Sequence, residues 1–430
     1  MNRYRSSTAA AAAAFIALAG CGPGKTYDSA GQSASIAPRG TAQAGTSLEG
    51  GDRGGPYVRQ DLVSDGFLPA DHLDANLVNG WGIARLPTSP WWVSNNGTAT
   101  STLYDGVGAA QPLVVTVTGA GGGAAAPTGV VANAGGSFIV TSGGGSGPAR
   151  FIFASEDGTI SGWNPGVPPP VAPATRSTVT TVTYTSPAGA KYKGLAIAST
   201  SAGDRLYATD FHNGRVDVFD DMFSPVALPG AFVDPRLPAG YAPFGIQEAN
   251  GTIYVTFAKQ DAEASDEVAG RHLGVVSSFD TDGVFLRRIA SGGKLNAPWG
   301  LALAPDTGFG RASGNLLVGN FGDGRIIAYR LSGKGHSDMH GRGEHGHGEH
   351  GHGEHGHGEH GRGDEGTYLR GDRGPIAIDG LWGIGFGNGA SAGAVNTLYF
   401  AAGPDDEAHG LFGRIDFVPR HDDDDDGDDD

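Results

Sequence analysis

The sequence predicts an all-β protein with the architecture of a six-bladed β-propeller, and three observations lead to this fold class. A glycine followed by a short apolar run recurs six times, and a segment rich in β-branched and aromatic residues follows each copy. Repeats of about 40 to 50 residues that contain several short strands are typical of propeller blades. Asn-Gly and Asp-Gly pairs favour tight hairpin turns, and the apolar residues alternate with a period of two, with no long amphipathic helix.

The six glycine segments are predicted to form the innermost strand of each blade. They are Trp81-Gly82-Ile83-Ala84, Thr128-Gly129-Val130-Val131, Lys193-Gly194-Leu195-Ala196, Phe244-Gly245-Ile246, Trp299-Gly300-Leu301-Ala302 and Trp382-Gly383-Ile384. The second strands are predicted at Trp91–Ser94, Phe138–Thr141, Leu206–Thr209, Ile253–Thr256, Leu316–Gly319 and Leu398–Ala401. Because neighbouring blades crowd around the central channel, we expect glycine where no side chain fits.

The ring of blades is predicted to close through a strand near the start of the propeller. Tyr57–Val63 alternates like a strand, whereas the last repeat leaves room for only three strands, ending in Gly413–Val418. We therefore predict that Tyr57–Val63 is the outer strand of the last blade, which removes an unpaired sheet edge. The propeller is expected to span residues 56–420, with a disordered His/Gly-rich insert at 333–373.

The first residues have the pattern of an export signal. Two arginines precede the apolar run Ala9–Ala19, which is too short to span a bilayer, so residues 1–20 are predicted to be a signal peptide. Leu18-Ala19-Gly20-Cys21 resembles the lipobox of bacterial lipoproteins, and Cys21 is the single cysteine of the chain. Residues 21–55 are rich in Gly, Ala and Ser and are predicted to be a disordered tether.

The resemblance to a lipobox implies that Cys21 carries a lipid. Gly22 follows it, and by similarity to the sorting rule of Gram-negative lipoproteins this favours the outer membrane. The alternative is an ordinary cleaved signal and a secreted protein.

The net charge of −17 lies partly in an acidic tail at residues 421–430, which contains eight aspartates. A nucleic-acid partner would need clustered lysines and arginines, and no basic stripe is visible, so the sequence argues against nucleic acid. We expect a monomer that reaches the membrane only through its lipid anchor.

Aromatic residues before the motif glycines are the first candidate binding residues. Trp81, Trp299 and Trp382 are expected either to pack between blades or to form a ligand-binding ring at the channel mouth.

Polar residues near strand ends are the second set of candidates. Asp210, His212 and Asn320 follow second strands, where they either cap turns or contribute to a site at the channel mouth. Glu248 follows an innermost strand and is a further candidate for that site.

The His/Gly-rich insert is a candidate metal-binding segment. Its five-residue repeat Glu-His-Gly-His-Gly supplies the possible ligands His345, His347, His350, His352, His355, His357 and His360. Imidazole and carboxylate groups suit Zn, Ni or Cu, and the glycines predict a weak, adaptable, multi-ion binder. The alternative is a repeat expansion with no selected role. The propeller itself is expected to require no cofactor.

Longer segments resemble NHL-repeat propellers, and in particular an uncharacterised bacterial family of NHL-like envelope proteins. The segments are Asn76–Ala84, Pro90–Gly97, Leu295–Pro305 and Leu316–Gly324. The resemblance runs from about Val58 to Pro419 and implies a six-bladed fold and an exported location, but no activity.

Two classes of function remain open. The first is a scaffold at the cell envelope that binds a protein, peptide or glycan at one propeller face, and this is the function we expect. The second is a hydrolase or lyase of the lactonase-like type, with its site at the channel mouth. Related lactonases hold a metal with Glu, Asn and Asp, for which Glu248, Asn320 and Asp210 are available, but the first repeat lacks the glutamate of that pattern. Clustering of these three residues with His212 around one mouth would favour the enzyme.

Overall fold

The computed structural model describes residues 56–331 and 366–419, which form six sheets arranged as the blades of a propeller and two separate two-stranded hairpins. The innermost strand of each blade packs against that of the next, and the sixth packs against the first, so the ring is closed. The described ranges contain no α-helix, and their short 3-10 helices are Asn96–Thr98, Ala120–Gly122 and Gly310–Ala312. The predicted all-β six-bladed propeller is therefore confirmed.

The first five blades each contain four antiparallel strands, in chain order from the axis outward. Blade 1 contains Gly80–Ala84, Trp91–Asn95, Thr100–Tyr104 and Val115–Thr116. Blade 2 contains Pro127–Ala132, Phe151–Ser155, Thr159–Trp163 and Thr181–Thr185. Blade 3 contains Tyr192–Thr200, Gly203–Asp210, Arg215–Phe219 and Pro225–Val226. Blade 4 contains Tyr241–Ala249, Thr252–Lys259, Val275–Phe279 and Phe285–Ser291. Blade 5 contains Pro298–Leu303, Leu316–Asn320, Ile326–Tyr329 and Thr367–Tyr368.

Blade 6 joins the two ends of the described chain. Its strands from the axis outward are Leu381–Phe386, Leu398–Ala402, Leu411–Phe417, Tyr57–Ser64 and His72–Leu73. Tyr57 pairs with Phe417 and Ser64 pairs with Leu411 in antiparallel register, which confirms the predicted closure by the N-terminal strand. His72–Leu73 adds a short parallel strand outside it, which was not predicted.

Each motif glycine faces the backbone of the neighbouring blade. A Cβ atom added to Gly82 would lie 2.6 Å from the carbonyl oxygen of Thr128, and one added to Gly129 would lie 2.5 Å from the amide nitrogen of Leu195. The other four motif glycines meet the next blade in the same way, and Gly383 completes the ring by facing Trp81. The repeated glycine is therefore required by the close approach of the innermost strands.

The predicted second strand of blade 2 was wrong. Ile139–Ser142 pairs with Gly145–Pro148 in a separate hairpin, whose turn is formed by glycines with positive φ. The true second strand is Phe151–Ser155, in which all five residues are buried. A strand covered on both faces shows no polar alternation, and Phe138–Thr141 is richer in β-branched residues, which favoured the wrong segment.

The predicted insert at 333–373 extends too far. Thr367–Tyr368 pairs with the third strand of blade 5, and Arg370–Gly371 forms a hairpin with Gly374–Pro375. The propeller therefore resumes by residue 367. The predicted signal peptide, the tether, Cys21, the histidines of the insert and the acidic tail at 421–430 lie outside the described residues. Within residues 56–331 and 366–419, no helix has the length and apolar character needed to cross a membrane.

Candidate functional site

The antiparallel blades define two faces of the propeller. We call "upper" the face that carries the loops between second and third strands and the connections from one blade to the next. The "lower" face carries the loops between first and second strands and those between third and fourth strands. Pro56, Leu331 and Gly366, which border the parts of the chain outside the described ranges, lie on the lower face.

Aromatic side chains fill the central channel toward the upper face. Trp81, Trp299 and Trp382 precede motif glycines of three blades, and their rings meet across the axis. The ring centroids of Trp81 and Trp382 are 3.6 Å apart, and those of Trp299 and Trp382 are 5.6 Å apart. Three phenylalanines join the group, which we call the aromatic plug: Trp81, Phe211, Phe244, Trp299, Phe321 and Trp382.

The burial of the plug corrects one of the two roles considered for its tryptophans. Trp81, Trp299 and Trp382 are 2%, 8% and 0% exposed. Large apolar rings that can contact one another across a narrow channel are more stable buried than in water. The tryptophans therefore form a core inside the channel and no ligand-binding ring at its mouth.

One position of the same ring holds a lysine. Lys193 precedes the motif glycine of blade 3 and is 1% exposed. Its Nζ donates hydrogen bonds to Glu156 Oε1 at 2.5 Å and to Asp266 Oδ1 at 3.1 Å, and lies 5.2 Å from the centroid of the Trp81 ring. Asn96 Nδ2 donates to the other oxygen of Glu156 at 3.1 Å. One ammonium group thus holds loops of blades 2 and 4 to the axis, and Glu156 links the loop of blade 1 to them.

Two further acids complete this group, which we call the upper ion cluster: Glu156, Lys193, Asp266, Glu267 and Glu407. Burial raises the pKa of Glu267 to about 8, although the charge of Lys193 opposes the shift. Burial also raises the pKa of Glu407, while a hydrogen bond of 3.0 Å from Asn79 Nδ2 favours its ionised form. Glu267 is therefore largely protonated at neutral pH.

Lys193 remains charged in this environment. Burial alone lowers the pKa of its ammonium group. The charges of Glu156 and Asp266, and that of Glu267 once it is ionised above about pH 8, outweigh burial, so the pKa of Lys193 lies above its ordinary value. A lysine that acts as a nucleophile or general base needs a lowered pKa. The geometry gives Lys193 the role of a fixed positive charge.

The loop that carries Glu407 has an unusual backbone. Asp405, Asp406 and Glu407 have φ values of 57°, 50° and 67°, which are three consecutive left-handed conformations. Each costs about 1 to 2 kcal/mol in a residue other than glycine. Such strain persists only where the surroundings hold it, and it often marks functional sites. Here it directs Glu407 toward Asn79 and the upper ion cluster.

The predicted polar candidates on the upper face hold turns. Asp210 is fully buried, and its carboxylate accepts hydrogen bonds from the backbone and side-chain nitrogens of Asn213 at 3.1 and 2.7 Å. Burial raises the pKa of Asp210. Asn320, also fully buried, donates to the carbonyl of Lys294 at 2.9 Å. His212 is exposed, and its Nδ1 lies 3.1 Å from the carbonyl oxygen of Ala264.

Glu248 lies at the opposite end of the channel. It is near the lower end of the innermost strand of blade 4 and accepts a hydrogen bond of 2.7 Å from the amide of Gly251. Asp210, His212 and Asn320 are at the upper ends of second strands, so the four candidates do not form one cluster. The metal-binding or catalytic set considered for a lactonase-like enzyme is therefore not assembled from these residues.

A cavity of about 450 Å³ opens at the lower mouth of the channel. The innermost strands of all six blades line it, mostly with apolar side chains such as Ile83, Leu195 and Leu301. Its polar lining residues include Glu248 and Arg85. The Nε of Arg85 donates to the carbonyl of Phe386 at 2.6 Å, and burial lowers the pKa of this arginine. A concave cavity with fixed polar groups is a candidate ligand-binding site.

Two more cavities open on the same lower face. One of about 510 Å³ lies between blades 6 and 1 and is lined by residues such as Thr397, Tyr399 and Arg414. The other, of about 660 Å³, lies between blades 1 and 2. Pro90 and Gln111 line both of these cavities, so the two adjoin.

The part of the chain that the structure describes contains no group of three or more His, Cys, Asp or Glu side chains suited to a metal ion. The predicted ligands His345, His347, His350, His352, His355, His357 and His360 are outside that part, and metal binding by them stays a prediction.

Sequence reasoning missed the upper ion cluster. Lys193 stands where the other repeats have an aromatic or small residue, and this replacement was the available signal. Glu156 follows the true second strand of blade 2, so the wrong assignment of that strand concealed it. Asp266 and Glu267 lie in the long connection between the second and third strands of blade 4, which shows no motif.

No protein-family model matches the chain. Among solved structures, virginiamycin B lyase from Staphylococcus aureus is 13% identical, with a TM-score of 0.43, over 84% of this chain and 100% of that one. An aldose sugar dehydrogenase from Streptomyces coelicolor in its PQQ-bound form is 13% identical, with a TM-score of 0.44, over 85% of this chain and 99% of that one. At these values the similarities carry no information about activity.

Two viral proteins are related to the chain in sequence. "Uncharacterized protein R648" of Acanthamoeba polyphaga mimivirus is 32% identical over 360 residues, which cover 82% of this chain and 78% of the relative. "Uncharacterized protein L690" of the same virus is 34% identical over 282 residues, which cover 64% of this chain and 71% of the relative. These relatives do not support the predicted bacterial envelope family, which stays a prediction. The chain belongs to the same protein family as these two mimivirus proteins, and it folds as a six-bladed β-propeller.

Proposed function

We propose that the protein is an exported binding scaffold, anchored by a lipid on Cys21, which recognises a protein, peptide or glycan with its lower face. One observation carries the choice of face: the three cavities described above all open on the lower face, whereas the aromatic plug closes the channel toward the upper face. Loops on a rigid propeller are suited to recognition, because the scaffold fixes their positions.

The upper ion cluster supports the same choice. Lys193 is fully covered, and its ammonium group is paired with acids from the loops of blades 2 and 4. These contacts favour a structural role for the centre of the upper face. The lactonase-like alternative draws no support from Asp210, His212, Glu248 and Asn320, because they lie at opposite ends of the channel.

Site-specific photo-crosslinking in cells that produce the full chain tests the recognition face. p-Benzoylphenylalanine at Gln247, in the wall of the central lower cavity, is expected to form a covalent adduct with the bound partner. The same residue at the exposed position of His212, on the upper face, is the matched control and is expected to form none. Adducts from His212 alone, or from neither position, would overturn the proposal.

The anchor is tested through Cys21. Cys21→Ser should block metabolic labelling with a fatty acid and release the protein from the membrane fraction. Absence of lipid label on the wild-type protein would refute the anchor, and recovery of the wild-type protein from the medium would favour the secreted alternative.

The His-rich insert is proposed to bind Zn, Ni or Cu weakly at several positions. Titration of the full chain with Zn²⁺ should show multiple sites. Their affinity for the metal should fall below about pH 6, because imidazole becomes protonated there. Deletion of residues 336–360 should abolish this uptake. Equal uptake by the deletion variant would exclude the insert as the metal-binding segment.

A further inference from the structure

The cavity between blades 1 and 2, which we call the blade 1–2 cavity, has a mainly apolar lining that is backed by buried aromatic rings. Its volume is about 660 Å³, and its lining includes Trp92, Phe151 and Trp163. The rings of Trp92 and Phe151 are stacked at a centroid distance of 4.1 Å, and Trp163 lies 4.6 Å from Trp92. The indole N–H of Trp163 is already bound to the carbonyl of Ser177 at 2.9 Å. The walls are therefore preformed and present mainly apolar surface.

Two arginines give this cavity its charge. Arg150 and Arg176 line it, and its lining contains no aspartate or glutamate. This is unusual in a chain with 46 acidic and 29 basic residues. The Nη1 of Arg150 donates a hydrogen bond of 3.2 Å to the carbonyl oxygen of Gly135. Arg176 is exposed and has no hydrogen bond or ion pair within the described ranges. Both guanidinium groups therefore retain free donors.

These features select the chemistry of a ligand. A guanidinium group pairs best with a carboxylate or another planar or tetrahedral oxyanion, often through two hydrogen bonds. A bare inorganic ion would make no contact with the apolar lining, and a neutral sugar would leave the two guanidinium groups without an ionic partner. A cavity of this size accommodates a small organic molecule.

We propose that the blade 1–2 cavity binds a small organic anion, with its aromatic or aliphatic body against Leu86 and Leu113, which pack on the buried aromatic cluster, and its oxyanion against Arg150 and Arg176. This inference rests on the proposed function, since it assigns a ligand class to one cavity of the recognising lower face. It adds a second recognition element beside the central cavity.

A fluorescence titration of the full chain with 1-anilinonaphthalene-8-sulfonate tests this inference. This probe is an aromatic body that carries one sulfonate, and N-phenyl-1-naphthylamine is its neutral counterpart. We expect saturable binding of the anionic probe, with energy transfer from tryptophan. The double variant Arg150→Gln, Arg176→Gln should bind the anion at least tenfold more weakly, whereas its affinity for the neutral probe should be unchanged.

Two further variants separate binding from folding. Arg176→Glu changes only an exposed side chain, so it should leave the circular dichroism spectrum unchanged. It should still lower the affinity for the anionic probe at least threefold. Arg271→Gln removes an exposed arginine on the upper face and should leave the affinity for both probes unchanged. The inference fails if binding of the anionic probe does not saturate, or if the double variant binds this probe as tightly as the wild type does. Crosslinking at Gln247 reports on the proposed function independently, so the two failures are distinguishable.

Discussion

Replacing Glu267 by glutamine is expected to change how the stability of the propeller depends on pH. In the upper ion cluster, burial raises the pKa of Glu267 from an ordinary 4.5 to about 8. Between these pH values the folded chain keeps the proton on Glu267, whereas the unfolded chain has released it. The contribution of this group to the free energy of unfolding is therefore complete below pH 4.5, decreases as the pH rises, and is lost above about pH 8.

The size of the effect follows from the proton difference between the two states. One proton held only by the folded state changes the free energy of unfolding by about 1.4 kcal/mol per pH unit. The whole window corresponds to at most about 4 to 5 kcal/mol. The charges of Asp266 and Glu407 raise the pKa of Glu267, as burial does, whereas the charge of Lys193 lowers it. Because Glu267 is partly exposed, we expect solvent screening to reduce the loss between pH 5 and pH 8 to about 2 to 3 kcal/mol.

Urea unfolding at pH 5, 6, 7 and 8, followed by tryptophan fluorescence, measures this dependence. At pH 5 glutamine resembles the protonated acid, so Glu267→Gln and the wild type should have similar free energies of unfolding. At pH 8 the variant should be more stable than the wild type by about 2 to 3 kcal/mol. Glu263→Gln, at an exposed position in the same loop, is the matched control. Its free energy of unfolding should depend on pH as that of the wild type does. Parallel curves for Glu267→Gln and the wild type would refute the reasoning.

Two more pairs of substitutions, each a test and its control, probe the packing around the axis. Gly245→Ala places a methyl group against the backbone of blade 5 and should lower the free energy of unfolding by about 3 kcal/mol or more, whereas Gly136→Ala, which meets no atom within 4 Å, should change it by less than about 0.5 kcal/mol. Thermal unfolding checks this pair, and equal melting temperatures would contradict the close-approach argument. Lys193→Met removes the covered partner of Glu156, which is one quarter exposed, and of the exposed Asp266, and should cost about 1.5 to 3 kcal/mol in urea unfolding. Arg325→Met breaks the half-exposed ion pair with Asp323 and should cost less than about 1 kcal/mol; a similar cost for both variants would contradict the burial argument.

The innermost strands could be predicted from the sequence because their constraint is local and repeated. Gly82, Gly129 and the four other motif glycines each meet the next blade in the same way, so one physical requirement appears six times in the chain. The closing strand Tyr57–Ser64 was also predictable, since the last repeat lacked an outer strand. The second strand of blade 2 was not, because complete burial removed its alternation and a glycine-rich hairpin imitated a strand nearby.

The chemical environment of the site depends on contacts that the chain order does not reveal. Lys193 is separated from Glu156 by 37 positions and from Asp266 by 73, yet its Nζ bonds to both. The raised pKa of Glu267 is a consequence of burial and of neighbouring charges, which exist only after the blades assemble. The predicted candidates Asp210 and Asn320 were placed correctly at strand ends, but whether they faced a ligand or a turn was undecided until their hydrogen bonds were known.

By itself, the sequence determined the all-β class, the number of blades and the way the ring closes, because these depend on short-range periodicity and on a glycine that each blade must supply. The tertiary structure alone decided which aromatics became a plug, which acids gathered around Lys193 and where the cavities of the lower face opened. The physical reason is that side chains from separate blades meet only around the axis, where burial and charge are set by the partners that the closed ring brings together.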